Sequence, residues 1–129
     1  MKVSLIIPCY NEEKTVLNVL EKLSEIKNSI NDFEVIIIDD GSTDSSNSIL
    51  KQNKHLYNIL IENDINCGKG YSVKKGLELS NGEYIIFQDA DLEYDPADFS
   101  KLIYPVVNYK AEVVMGSRFI APQCIRVSY

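Results

Sequence analysis

FEVIIIDDGSTD, residues 33 to 44, decides how this chain is built. Val35-Ile36-Ile37-Ile38 is an unbroken apolar run. A strand with one wet face alternates apolar and polar residues. A run without alternation is buried on both faces, as in a parallel sheet. Two acids and a glycine follow at once, so the strand ends in a polar turn.

Further short apolar runs lie on either side. Val3-Ser4-Leu5-Ile6-Ile7 reads as the strand before it, Leu56 to Ile61 and Tyr84 to Phe87 as strands after it, and Glu112 to Met115 as a fifth. Helical spacing fills the gaps. Asn11 is placed to cap a helix whose positive end suits Glu12 and Glu13. Val16, Val19, Leu20, Leu23 and Ile26 then share a face. TDSSNSILKQN predicts a short helix, and Tyr71 to Leu79 another with Val73 and Leu77 inward. Pro96 suits a helix start, and Phe99, Leu102, Ile103 and Val106 follow it. From Gly116 the pattern breaks off. The alternation predicts an α/β fold: an open, mainly parallel, Rossmann-like sheet with helices on both faces.

The 129 residues suffice for one domain with a core, and 45% hydrophobic with 25% charged residues is ordinary for a globular chain. No run approaches the roughly 18 apolar residues of a membrane span, and MKVSLIIPCYNEE is too quickly interrupted by Pro8 and acids for a signal peptide. The net charge of −6 argues against nucleic acid as a partner. Cys9, Cys67 and Cys124 are far apart and lack CxxC spacing, so they read as small buried thiols. His55, the one histidine, lies in the polar stretch KQNKHLYN and reads as a surface residue.

Sheets of this kind bind ligands beyond the carboxyl ends of their strands. Polar clusters follow every strand: Pro8-Cys9-Tyr10-Asn11-Glu12, Asp39 to Asp44, Asn63 to Gly70, Gln88 to Pro96, and Gly116-Ser117-Arg118. The fourth, QDADLEYDP, puts acids at 89, 91, 93 and 95. Solvated surface acids, a metal site and an acid pair all compete as readings. There is no GxxxxGK[ST], and Gly68-Lys69-Gly70 carries only part of GxGxxG, away from the first strand. A calcium loop beginning at Asp89 would need glycine where Tyr94 stands and glutamate where Ser100 stands. Phosphatases of the haloacid-dehalogenase type place DxD after their first strand, whereas here it follows the fourth. Asp95, beside Pro96, reads as a helix cap.

SLIIPCYNEE, VIIIDDGSTD, NCGKGYSVKKGLELSNGEYIIFQDADLEYDP and MGSRF, in this order, resemble the nucleotide-binding half of the family-two inverting glycosyltransferases with the GT-A fold. The GKG and QDADLEYDP spacing is most similar to the dolichol-phosphate or polyprenol-phosphate sugar transferase branch. The resemblance covers nearly all of residues 3 to 119. It implies a UDP- or GDP-sugar donor, and a polyprenol phosphate or saccharide acceptor. It also implies Mg²⁺ or Mn²⁺, which hard carboxylate oxygens would hold against the leaving diphosphate. Asp91 is then the principal metal ligand, Asp89 serves ribose or metal, Glu93 is a third ligand, and Ala90 lies between them. Asp39 or Asp40 reads the base, since a carboxylate accepts the N–H of uracil or guanine, while Asp40 is expected to stabilise the turn before Gly41. Pro8 and Tyr10 match base-contacting positions, and Glu12 a donor-contacting one. Lys69 and Arg118 are candidates for phosphate oxygens, and Gly68 and Gly70 allow close backbone approach.

The expected organisation is a donor-binding domain over 1–119 and the start of an incomplete acceptor segment over 120–129. No catalytic base is assigned. A hydroxyl acceptor would need one beyond Tyr129, whereas a phosphate acceptor, already anionic, needs none. A cytoplasmic setting is expected, with membrane association only through a later region, and an exposed apolar face would favour self-association. The alternative is a module that holds a nucleotide-sugar without transfer.

Overall fold

The computed structural model describes residues 1–27 and 33–114. The chain divides into two compact units, Met1–Ala97 and Asp98–Tyr129. The domain boundary expected near residue 119 lies outside the described residues.

The first unit is a four-stranded, wholly parallel sheet. Its strands are β1 (Val3–Cys9), β2 (Phe33–Asp40), β3 (Ile59–Asn63) and β4 (Tyr84–Phe87), in the order β3-β2-β1-β4. Helices α1 (Val16–Lys27), α2 (Ser46–Gln52) and α3 (Lys69–Leu79) connect them. β2 pairs with β1 from Phe33 opposite Val3 to Asp39 opposite Cys9, and every residue of β2 is buried. This is the two-faced burial that its apolar run dictates.

Topology fixes the layers. β1, β2 and β3 step outward in one direction, so right-handed crossovers place α1 and α2 on one face. α3 carries the chain back to the far side of β1, and the same rule puts it on the other face. There it packs over Ile6 and Ile38, which form a buried cluster with Ile36. A side chain at Gly76 would meet Ile6 Cγ2 at 2.6 Å. The inward positions of α3 are therefore the small residues Ser72 and Gly76. Val73 and Leu77 were expected inward; instead Leu77 is exposed, because the helix lies too close to the sheet for a large side chain. On the other face Leu5, Ile7, Val35 and Ile37 are buried, as are Val16, Val19, Leu20 and Leu23 of α1.

The amino edge of the sheet carries a buried polar latch. Ser4 Oγ donates to Glu34 Oε1, which also accepts the Asn81 N–H at 2.6 Å, and the Gly82 N–H donates to Ser4 Oγ at 2.8 Å. Burial raises the Glu34 pKa, but these donors outweigh it and hold the carboxyl below its ordinary value.

The second unit contributes α4 (Phe99–Tyr109), preceded by a 3-10 turn at Pro96–Asp98. The expected strand at 112–115 is not found among the described residues: 112–114 carry no strand assignment, and Val113 is exposed. Met115 lies outside them. No helix among the described residues is long and apolar enough to cross a membrane.

Candidate functional site

Strand order reverses between β1 and β4, and that is where α/β sheets open a crevice. The loops after β1, β2, β3 and β4 meet there around a cavity of about 400 Å³. Its lining includes Pro8, Tyr10 and Glu12 from the first loop, Asp40 from the second, Gly68 and Lys69 from the third, and Asp89, Ala90, Asp91 and Glu93 from the fourth. Ten of the expected site residues are thus brought together. Asp39 and Gly70 are not part of the lining, and Arg118 lies outside the described residues.

The turn-stabilising part expected of Asp40 falls to Asp39. Asp39 holds the turn: its Oδ1 accepts the Ser42 N–H at 3.1 Å and its Oδ2 accepts from Asn47 at 2.7 Å. Asp40 faces the cavity and clamps the third loop. Its Oδ1 accepts from Asn63 at 2.9 Å and from the Cys67 N–H at 2.8 Å, and its Oδ2 from the Gly68 N–H at 3.0 Å. Burial raises the Asp40 pKa, yet the bonds from Cys67, Asn63, Gly68 and Ser72 prevail and hold it below 3.8. Gly41, at φ +68°, lets the third loop pass close by, since a Cβ there would lie 2.4 Å from Ile65 carbon.

The first loop is zipped to the second. Asn11, at φ +51°, does not cap α1; its Oδ1 accepts the Thr43 N–H at 2.8 Å. Glu12 N–H donates to Ser46 Oγ at 2.9 Å, and Ser45 N–H donates to Glu13 Oε2 at 3.0 Å. The Glu12 carbonyl accepts the Thr15 and Val16 N–H groups, at 3.1 and 2.9 Å, so Glu12 opens the turn that leads into α1, while the Glu13 carboxylate binds across to the second loop.

The acidic loop is shaped by residues that the sequence pattern did not single out. Buried Gln88 donates to the carbonyls of Asp89 and Tyr94, at 3.2 and 3.1 Å, and closes the loop on itself. Thr15 Oγ1 donates to the Ala90 carbonyl at 2.7 Å and ties the loop to the start of α1. An amide that opens an acidic run directly after a strand was the available signal for Gln88; nothing local marks Thr15. Leu92 takes φ +37°, an outlier for a bulky side chain. Beside it the Glu93 N–H donates to Asp91 Oδ1 at 3.0 Å. The turn leaves carboxylate oxygens of Asp89, Asp91 and Glu93 within 4.8 Å of one another. At that spacing each pair of charges repels by between about 1 and 3.5 kcal/mol, for a dielectric between that of water and about 20. Three hard oxygen donors so placed fit a divalent cation such as Mg²⁺ or Mn²⁺. Lys69 Nζ forms an ion pair with Asp89 Oδ1. Asp95 lies apart and accepts the Ala97 N–H at 2.9 Å, as a cap for the 3-10 turn.

Cys9 lines the cavity, but burial and the charges of Asp39 and Glu12 push its thiol up to about 12, so it stays protonated and is no nucleophile. Cys67 is exposed rather than buried, and His55 is exposed as expected.

A family model described as Glycosyl transferase family 2 matches residues 4–128. The UDP-N-acetylglucosamine–dolichyl-phosphate N-acetylglucosaminyltransferase of Methanococcus voltae is 36% identical over 137 residues, covering 92% of this chain and 53% of that protein. S. aureus TarS, solved with UDP-GlcNAc, superposes with a TM-score of 0.64 at 29% identity, covering 81% of this chain and 31% of the other. The mannosyltransferase PcManGT of Pyrobaculum calidifontis, solved with GDP-Man and Mn²⁺, gives 0.60 at 26% identity, covering 70% and 27%. The chain spans from 15% to 53% of the length of the curated relatives it matches.

Proposed function

Because this chain belongs to glycosyl transferase family 2, we propose that it provides the donor site of a transferase that moves a sugar from a UDP- or GDP-sugar to a polyprenol phosphate or saccharide acceptor. The observation that carries the reading is the meeting of four loops around the cavity, with Asp40 on one wall and Asp89, Asp91 and Glu93 on another. Relatives and neighbours with UDP-GlcNAc, GDP-Man and dolichyl phosphate in their names support it.

In this reading Pro8 and Tyr10 pack at the nucleobase. Asp40, which lines the cavity whereas Asp39 does not, accepts the base N–H with the lone-pair capacity its three bonds leave. Gly68, the positive-φ residue before α3, admits the ligand close to the backbone. Asp91, Asp89 and Glu93 would hold Mg²⁺ or Mn²⁺. When bound, the cation would act as a Lewis acid toward the departing diphosphate. The acceptor attacks the sugar on the face opposite the diphosphate, so a single displacement inverts the anomeric centre. A phosphate acceptor attacks as the anion it already is at neutral pH.

The test is a binding panel of UDP-GlcNAc, UDP-Glc, GDP-Man and ADP-Glc with Mn²⁺, followed by transfer of radiolabelled sugar to polyprenol phosphates. The reading expects a uracil or guanine donor to bind at least about tenfold more tightly than the adenine one, whose base lacks the matching N–H. Equal binding of the ADP-sugar would overturn the base assignment, and no binding of any donor would overturn the function.

A further inference from the structure

Lys69 opens α3, and that is the wrong end of a helix for a cation. The N-terminus carries the positive end of the dipole and favours anions. Nothing in helix formation asks for lysine there. What its ammonium finds is Asp89, the carboxylate nearest the strand end in a group of three that otherwise repel. The Lys69 side chain is 64% exposed and so has room to swing, whereas that of Asp89 is 24% exposed and fixed on its loop. Both line the same cavity.

We propose that Lys69 is the resident counter-cation of the acidic loop, a positioning residue that holds Asp89 while no metal is bound and opposes metal binding until its ammonium is released to the donor's phosphates. This rests on the metal-assisted donor site proposed above. Without nucleotide, a divalent cation must take Asp89 away from Lys69 and then sit beside an ammonium of like charge. With a nucleoside diphosphate present, the displaced ammonium gains phosphate oxygens, so the cost is returned. Lys69 thereby makes metal and diphosphate bind together better than either binds alone. Such reciprocal coupling requires only one group whose position both ligands change.

The experiment titrates Mn²⁺ into wild-type protein, Lys69→Met and Lys69→Arg, with and without saturating UDP. Free Mn²⁺ is read by its electron paramagnetic resonance signal. Without UDP, Lys69→Met should bind Mn²⁺ about 3- to 10-fold more tightly than wild type, as expected for removing one partly screened charge beside the ion. Lys69→Arg, which keeps the charge, should stay within about twofold of wild type. With UDP the advantage of Lys69→Met should vanish or reverse. Mn²⁺ affinity in Lys69→Met equal to or weaker than wild type without UDP would overturn the proposal while leaving the metal reading in place. No Mn²⁺ binding by wild type or either variant would overturn the metal reading itself.

Discussion

Two loops of this molecule carry acids directly after a buried strand, and they use them in opposite ways. After β2, Asp39, Asp40 and Asp44 are occupied by the chain's own donors. Asp44 accepts from the Ser46 and Glu13 N–H groups, at 2.9 and 3.2 Å, and Asp39 and Asp40 accept two and three bonds respectively. Burial raises the pKa values of Asp40 and Asp44, and the donors more than reverse this. After β4, Asp89 takes the Lys69 ammonium and Asp91 takes the Glu93 N–H. Oxygens of Asp89, Asp91 and Glu93 there also lie within 4.8 Å of one another. The first set builds the walls of a site, and the second is left with capacity for a ligand. Identical residue types thus acquire different roles from the number of N–H groups that surround them.

The sharpest way to break this contrast is Asp40→Asn. An amide there puts an NH₂ donor among donors from Asn63, Cys67 and Gly68, and the third loop should come away from β2. We expect a stability loss on the order of 2–4 kcal/mol by urea denaturation, as for a broken buried network. The same group predicts a pH dependence. Its folded pKa lies below 3.8, so its contribution is fully present above that value and is lost as pH falls below it. Wild type should therefore lose stability on acidification below about pH 4 more steeply than Asp40→Asn. Parallel curves would mean that Asp40 is not the clamp.

Asp91→Asn should do the reverse. It removes one of three mutually repelling charges and little else, so the fold should stay within about 0.5 kcal/mol of wild type. Mn²⁺ affinity should fall by more than about tenfold, because a hard cation loses a charged ligand. A variant that unfolds would show that the acidic loop is structural like its counterpart. Asp39→Asn tests the loop after β2 again, with a smaller effect. One turn bond survives and one is lost, which should cost about 1 kcal/mol of stability. Nucleotide affinity should hardly change if Asp40 is the base reader, and a larger loss of affinity than of stability would return that role to Asp39. Glu93→Gln, at the exposed end of the triad, should weaken Mn²⁺ binding only about threefold.

The sheet and its ligand edge were legible because strand burial writes itself as apolar runs. β2 is the clearest case, with Val35 to Ile38 needing cover on both faces. The acid triad was legible because its spacing is local, three alternate residues on one turn. What was not legible depends on close approaches between distant segments. Nothing in the sequence near Leu77 says that α3 sits against Ile6 through Gly76, so the inward face was misjudged. Nor does adjacency distinguish Asp39 from Asp40. They alternate across a strand end, and only the arrival of the 63–68 loop decides which of them becomes the clamp. Asn11 looked like a helix cap because capping residues and loop-bridging residues are the same types. Of the strand expected at 112–115, the described residues 112–114 form none, because a short apolar run alone does not create a neighbour to pair with.

The most direct measurement is calorimetric titration of the purified protein with UDP-GlcNAc and GDP-Man, in Mn²⁺ and again in excess EDTA. If the crowded acids after β4 exist to hold a cation against the donor's diphosphate, the preferred donor should bind in Mn²⁺ and weaken by at least about tenfold in EDTA, with Asp91→Asn in Mn²⁺ matching wild type in EDTA. Equal affinity of wild type for that donor in Mn²⁺ and in EDTA would contradict the assignment of Asp89, Asp91 and Glu93 as metal ligands.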